Sequence, residues 1–294
     1  MIGEISCPGK LVLAGEYAVL EGYPGLAMGV SRRVYLKPSN KLHRSKLWDA
    51  VSAGHDVEPR FEIDSSALYE GEHKLGLGSS AAAAVCMAGF IDSINPFRIA
   101  LEGHQRFAGG LGSGIDVATC YQGGLVRFAK GGDIEPLWSN LNQETIMTVF
   151  TGKSSKTEVF LKKLQDYQKQ NPDDYKQLIA DIGALTPAWE EFYTGEATWA
   201  LLSEVVQANR EVLIKLSQAA KIQVMSSEQH AIWAICRQFG AFSKPSGAGG
   251  GDITLCFLPP EARTDLGFAL RNSGFKPLKI GYFEPGLLES ACAD

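Results

Sequence analysis

The sequence predicts an α+β protein in two parts, and three observations carry that expectation. Residues 1–142 alternate strand-like runs with helices that open at glycine-rich turns. Residues 143–294 are helix-rich over a few strands, an α+β pattern. The chain has 294 residues, 45% of them hydrophobic, which is enough for two domains of ordinary size with a substantial core.

Taken in order, residues 4–13 read as a strand with Leu11, Val12 and Leu13 as a buried run, interrupted at Cys7-Pro8-Gly9-Lys10. Proline breaks strand pairing there, and glycine brings the backbone close to something else. Residues 25–30 and 34–36 read as further strands with Arg32 and Arg33 between them. Residues 39–73 carry little signal beyond short strands near Trp48–Val51 and Phe61–Ile63. A helix is expected over 80–92 and a second over 96–107. A glycine-rich turn, Gly109 to Gly114, then opens a short apolar helix with Asp116 in its first turn. Residues 125–128 read as a hairpin strand and 146–150 as another. Ser155-x-x-Glu158 offers a capping box for the next helix. In 198–220 the residues Leu202, Val205, Val206, Asn209, Leu213 and Leu216 fall on one helical face. Ser226-x-x-Gln229 caps the following helix. A strand at 253–258, a helix at 261–272 and a strand at 276–283 complete the expectation.

The most informative stretch is Lys74-Leu75-Gly76-Leu77-Gly78-Ser79-Ser80, followed by a run of alanines. Two glycines two residues apart allow a backbone path closed to residues with a Cβ. The serines stand where helix N-caps belong, and the free amides and dipole of a helix start suit phosphate. Gly76-x-Gly78-x-x-Ala81 formally fits a dinucleotide fingerprint, but polar residues 69–74 precede it instead of a buried parallel strand. The Walker A spacing is absent. A plain turn capping a core helix remains open beside a phosphate loop. Asp116 has a bland reading too, since an acid in a first helical turn complements the helix dipole.

The formal charge of −5 argues against a nucleic-acid or anionic-membrane surface, so an anionic ligand must be held by local groups. The N-terminal residues show no secretory pattern, and no apolar run reaches the ~18 residues of a membrane span. The six cysteines are scattered without a C-x-x-C pair, which predicts free thiols and a cytoplasmic protein without structural zinc.

A third glycine-rich segment, Ser246-Gly247-Ala248-Gly249-Gly250-Gly251-Asp252, follows Lys244. With Pro8-Gly9-Lys10…Gly15-Glu16, Gly76-Leu77-Gly78-Ser79-Ser80-Ala81 and Gly112-Ser113-Gly114-Ile115-Asp116, it resembles the GHMP kinases over nearly the whole chain. These are the small-molecule kinases named for galactose, homoserine, mevalonate and phosphomevalonate. The details are most similar to phosphomevalonate kinases: Tyr17 follows Glu16 where mevalonate kinases usually have His, Lys74 precedes the phosphate loop, and Asp252 ends the third cluster. The resemblance implies an N-terminal α/β domain (1–142) with a left-handed βαβ unit and a ferredoxin-like C-terminal domain (143–294). ATP and acceptor would meet between them. Lys74, Gly76, Leu77, Gly78, Ser79, Ser80 and Ala81 would bind ATP, and Ser80 would help hold Mg²⁺. Asp116 would accept the acceptor's proton or orient the acceptor, with Lys10 beside it. Glu16, Tyr17, Lys153, Ser154, Ser246, Gly247, Ala248 and Gly249 would face the substrate. Mevalonate kinases of the mammalian type carry a metal-binding glutamate one short helix before the catalytic Asp. That region here reads Glu102-Gly103-His104-Gln105 and offers no certain counterpart.

The leading expectation is an ATP-dependent kinase acting on phosphomevalonate, as a monomer or homodimer with small-molecule partners only. Mevalonate is the rival acceptor, and a ligand sensor that has lost catalysis is the rival from another class. Among further lysines for an acceptor phosphate (Lys74, Lys153, Lys156 and Lys244), Lys153 is the first choice, because its turn leads into a helix N-terminus.

Overall fold

In the computed structural model, which describes residues 2–155, 157–195 and 198–291, the chain opens with two long antiparallel strands, β1 (Ile2–Ala14) and β2 (Gly25–Leu42). β1 is not broken at Pro8; its register with β2 shifts between Pro8 and Gly9 instead. That irregularity absorbs the missing amide of proline. The two strands expected at 25–30 and 34–36 are one strand. Arg33 stays inside it because its guanidinium is held at all three nitrogens: Nε donates to Ser6 Oγ (3.1 Å), Nη1 to the Pro285 carbonyl (2.7 Å) and Nη2 to the Gly286 carbonyl (2.6 Å).

The expected strand at Trp48–Val51 is a helix, α1 (Lys46–Val51). Ser45 caps it, its hydroxyl accepting from the Trp48 amide at 3.2 Å. Strand β3 (Arg60–Asp64) and a small hairpin, β4 (Tyr69–Glu70) with β5 (His73–Lys74), lead into α2 (Ser79–Ile91). Then follow α3 (Pro96–Phe107), α4 (Ile115–Gln122), β6 (Leu125–Phe128) and β7 (Ile134–Leu137). Ala81 to Ala84, Val85, Cys86 and Met87 of α2 are all buried, so this helix is covered on nearly every side. Alanine is what lets β1, β2, α3 and α4 all pack against it.

The second half begins with β8 (Ile146–Phe150) and continues through α5 (Thr157–Gln170), α6 (Pro172–Gly183), α7 (Thr186–Thr194), α8 (Trp199–Ala219) and α9 (Ser227–Gln238). It then runs through β9 (Phe242–Pro245), β10 (Ile253–Phe257), α10 (Arg263–Asn272) and β11 (Lys276–Pro277). The sheet order β11-β8-β10-β9 places the fourth strand beside the first and the third between first and second. This is the split βαβ arrangement of a ferredoxin-like unit. The capping box at Ser226 and Gln229 is formed in both directions. At Ser155, where another was expected, the hydroxyl donates to the Gly249 carbonyl at 2.6 Å. Lys156 lies outside the described residues.

Only β11 and an isolated bridge at Tyr282 form within the strand expected at 276–283. A last strand, β12 (Leu288–Ala291), returns to pair with β1 and completes the first sheet, ordered β12-β1-β2-β6-β7 with β3 on β2. The chain's end thus crosses back over the expected 142/143 division. One core joins the two sheets: Leu11 and Leu13 of β1 share it with Trp189, Phe192 and Tyr193 of α7 and Phe257 of β10. Among the described residues no helix is long and apolar enough to cross a membrane.

Candidate active site

The backbone irregularity in β1 is what builds the site. A Cβ at Gly9 would stand 2.9 Å from the Leu77 carbonyl, and the next amide, that of Lys10, donates to that carbonyl at 2.9 Å. β1 is thereby stitched to the phosphate-loop candidate. Gly76 and Gly78 both have positive φ (73° and 77°), and a Cβ at Gly78 would meet Lys10 Cγ at 2.9 Å. The glycines therefore make room for protein groups as well as for a turn. The cap of α2 is Gly78, not a serine: it is left-handed and makes no side-chain cap bond. The first intrahelical bond runs from the Ala82 amide to the Gly78 carbonyl, so the amides of Ser79, Ser80 and Ala81 precede the helical ladder. Leu77 and Ala81 are buried and contribute through their main chain.

Lys10 is buried, with its side chain 8% exposed, and its ammonium lies 3.3 Å from Asp116 Oδ1. It also donates to the Gly76 carbonyl at 3.4 Å. Asp116 is carried in the first turn of α4, behind a left-handed Gly114, and its side chain is 37% exposed. A cation held by the Gly76–Gly78 loop and a carboxylate open to solvent thus meet at the loop's mouth.

The third glycine segment closes the opposite side. Its carbonyls are tied back: Ala248 accepts from the Tyr17 hydroxyl (2.5 Å), Gly249 from Ser155, and Gly251 from Gln229 Nε2 (3.2 Å). Ser246 Oγ both accepts from the Val12 amide and donates to the Val12 carbonyl, each at 3.0 Å, which fixes the segment to β1. Ser246, Gly247, Ala248 and Gly249 line the same cleft as Lys10 and Asp116. Ser154 reaches it too, its hydroxyl on the Lys74 carbonyl at 3.3 Å.

Two sequence expectations need correction, for Glu16 and Lys153. Glu16 does not offer its carboxylate to a ligand: the side chain is buried in an ion pair with Lys244, itself buried. Tyr17, held at φ 64°, lines the cleft and spends its hydroxyl on Ala248, so it braces the loop. Lys153 is turned out of the cleft and pairs with Glu228 at 2.5 Å, with its side chain 64% exposed. The Lys153 ammonium pulls the Glu228 carboxyl down to about 2. The reason lies in the turn, where the Lys153 carbonyl accepts from the Asp252 amide and the Thr151 hydroxyl.

The cleft has a volume of about 920 Å³. Part of its lining is a largely apolar wall: Leu47, Ile63 and Tyr69 from the segment that was least legible in the sequence, with Ala83 and Met87 of α2 and Leu111. Two polar residues at the loop were not assigned from sequence. His104 of α3 meets Ser80, Nε2 to Oγ 3.1 Å. Burial holds its imidazole below the ordinary range, with Lys74 and Lys10 acting the same way and Asp116 opposing them. Asp252, with φ 49°, accepts the Ser155 amide on Oδ1 at 3.1 Å. Burial pushes its carboxyl up, against that amide and the charges of Lys10 and Lys74. The only sequence sign of Asp252 was an acid closing a glycine run. Glu102 faces outward between Arg98 and Arg106.

No group of three or more His, Cys, Asp or Glu side chains able to hold a metal ion occurs among the described residues. The oxygen donors near the loop are Ser80, Asp116 and Asp252, hard ligands too few for a cage. Such a set fits Mg²⁺, which binds through one or two carboxylates plus substrate phosphates and keeps several waters.

No family model matches the chain. A mevalonate kinase from Thermococcus sibiricus is 25% identical, with 96% of each chain covered. A phosphomevalonate kinase from Saccharolobus solfataricus is 27% identical over 85% of this chain and 88% of its own. A solved Streptococcus pneumoniae phosphomevalonate kinase in complex with phosphomevalonate and AMPPNP superposes with a TM-score of 0.78 at 17% identity, covering 96% of this chain and 100% of that one. In sequence over nearly its full length, in fold, and in the glycine segments that converge on Lys10 and Asp116, the chain is similar to the mevalonate and phosphomevalonate kinases of the GHMP superfamily.

Proposed function

We propose that the chain transfers the γ-phosphoryl group of ATP to phosphomevalonate. The observation that carries the phosphotransfer reading is the Lys10–Asp116 pair at 3.3 Å, with Lys10 anchored to the phosphate loop through both its amide and its ammonium. In this reading the free amides at the start of α2 and the turns of Ser246 to Gly249 bind the triphosphate, and the apolar wall near Leu47 and Met87 takes the adenine. An oxygen of the acceptor's phosphate attacks the γ-phosphorus, the bond from that phosphorus to the β–γ bridging oxygen breaks, and ADP leaves. Asp116 orients the acceptor, and Lys10 offsets charge on the transferring group. Magnesium, when bound, would draw charge from the phosphate oxygens, with Ser80 on its side of the loop.

Phosphomevalonate is preferred because Tyr17 braces the wall where mevalonate kinases usually have His. Mevalonate is the second reading, favoured by a specific observation. Lys153 and Lys244 are both engaged by glutamates, which leaves Lys10 and Lys74 as the lysines lining the cleft among the described residues. The triphosphate itself calls on both.

ADP release with mevalonate, phosphomevalonate, homoserine and galactose decides between them. We expect kcat/KM for phosphomevalonate to exceed that for mevalonate by about tenfold or more, ~1.4 kcal/mol in transition-state binding. Faster turnover of mevalonate would put the second reading in its place, and no ADP with any of the four would sink both. In the same assay Lys74→Met should raise KM for ATP by about tenfold, the effect of one charge-assisted contact. Lys153→Met should leave both KM values within about twofold, since its partner is Glu228.

A further inference from the structure

Among the described residues four acidic side chains line the cleft: Glu16, Asp116, Glu158 and Asp252. Glu16 is consumed by Lys244, and Asp116 has the Lys10 ammonium on its Oδ1. Glu158 stands in the first turn of α5. Asp252 alone of the remaining two is packed onto the phosphate loop. A Cβ built on Gly76 would fall 2.6 Å from its Cβ and 2.7 Å from its Oδ2, so the loop keeps a glycine there to admit this carboxylate.

The way Asp252 is held shows that the carboxylate is aimed. Its φ of 49° is a left-handed conformation that Asp tolerates better than most residues but that still costs energy. Two main-chain bonds enforce it, from its own amide to the Lys153 carbonyl (2.6 Å) and from the Thr151 amide to its carbonyl (2.9 Å). Oδ1 is fixed by the Ser155 amide, while Oδ2 has no hydrogen-bond partner among the described residues. A half-buried carboxylate with one open oxygen, set against a loop that binds phosphates, would repel them unless a cation stands between. The wall across the loop supplies no acid: Glu102 is turned out to Arg98 and Arg106, and His104 is bound to Ser80.

We propose that Asp252 is the carboxylate that meets the divalent cation carried by the nucleotide, taking it from the third glycine segment and not from α3. The proposal rests on the ATP reading above and adds to it the residue that makes binding depend on the metal.

The test is calorimetric titration of the full chain with ATP, in excess Mg²⁺ and in EDTA, for wild type, Asp252→Asn, Asp252→Glu and Glu158→Gln. Asparagine keeps an oxygen for the Ser155 amide and is at home at positive φ, so Asp252→Asn removes only the charge. Wild type should bind ATP more tightly with Mg²⁺. Asp252→Asn should cut that magnesium-dependent gain by about tenfold, while ATP in EDTA binds as tightly as to wild type or more so. Asp252→Glu, which restores the charge, should recover most of the gain, and Glu158→Gln should retain it. An undiminished gain in Asp252→Asn overturns the proposal, as does a loss equal in Mg²⁺ and EDTA, which would make Asp252 a structural latch. Loss of the gain in Glu158→Gln alone overturns it in favour of Glu158. Wild type that fails to bind ATP in either condition refutes the ATP reading, and this proposal with it.

Discussion

Asp116→Asn is expected to lower kcat by ~10²-fold or more while ATP affinity stays within about twofold. The substitution keeps side-chain volume and removes the charge that Lys10 faces at 3.3 Å. Asp116 makes none of the contacts that hold the glycine segments, so the nucleotide's binding surface should survive. Lys10→Met should lose turnover on a similar scale, but with a cost in ATP binding as well. Its ammonium also reaches the Gly76 carbonyl, and its aliphatic stem fills the space at Gly78. The double variant is the informative one. If the two residues act as a unit, its loss should fall well short of the product of the single losses; losses that simply multiply would mean the residues act independently. Single-turnover measurements with saturating ATP separate these effects from binding.

What could be read from the sequence divides along physical lines. Glycine clusters, the Asp116 turn and the helices at 96–107 and 199–219 were legible because local chemistry dictates them: left-handed turns, helix starts, periodic apolar faces. The ends of strands were not. Arg32 and Arg33 looked like a break, yet Arg33 sits inside β2 because carbonyls at 285 and 286, far along the chain, satisfy it. The same distance hid β12, whose pairing with β1 has no local signature. Within the site, the residues that converge were legible, but their partners were not. Lys153 looked like a ligand for phosphate until Glu228, seventy-five positions later, was found beside it. Glu16 was expected to face the substrate and Lys244 was a candidate for an acceptor phosphate, yet each buries the other. Charged residues in a sequence show their valence and not their company, so corrections within the site fall on Glu16 and Lys153.

That last pair carries the largest expected effect on stability. Glu16 comes from the turn after β1 and Lys244 from β9, so the contact joins the two sheets beneath the cleft. The Lys244 ammonium also donates to the Pro245 carbonyl at 2.8 Å and lies 5.6 Å from the centre of the Trp189 ring. Glu16 Oε2 has no hydrogen-bond partner among the described residues. The Tyr193 hydroxyl is pushed up by burial first and by the Glu16 charge second, as expected around a carboxylate kept from water. Lys244→Met would leave that carboxylate buried and unpaired, at a cost of about 3–5 kcal/mol. For a chain of this size each kcal/mol lowers Tm by roughly 2–4 °C, so the variant should melt about 10 °C or more below wild type. Replacing both partners, Glu16→Met with Lys244→Met, removes the stranded charge and should restore most of the loss. A double variant as unstable as Lys244→Met would show that the cost arises from packing around Trp189 and Tyr193 and not from the charge. Because Tyr17, next to Glu16, holds the Ala248 carbonyl, the single variant should also raise KM for ATP at temperatures where it is still folded, and the double variant should bring it back.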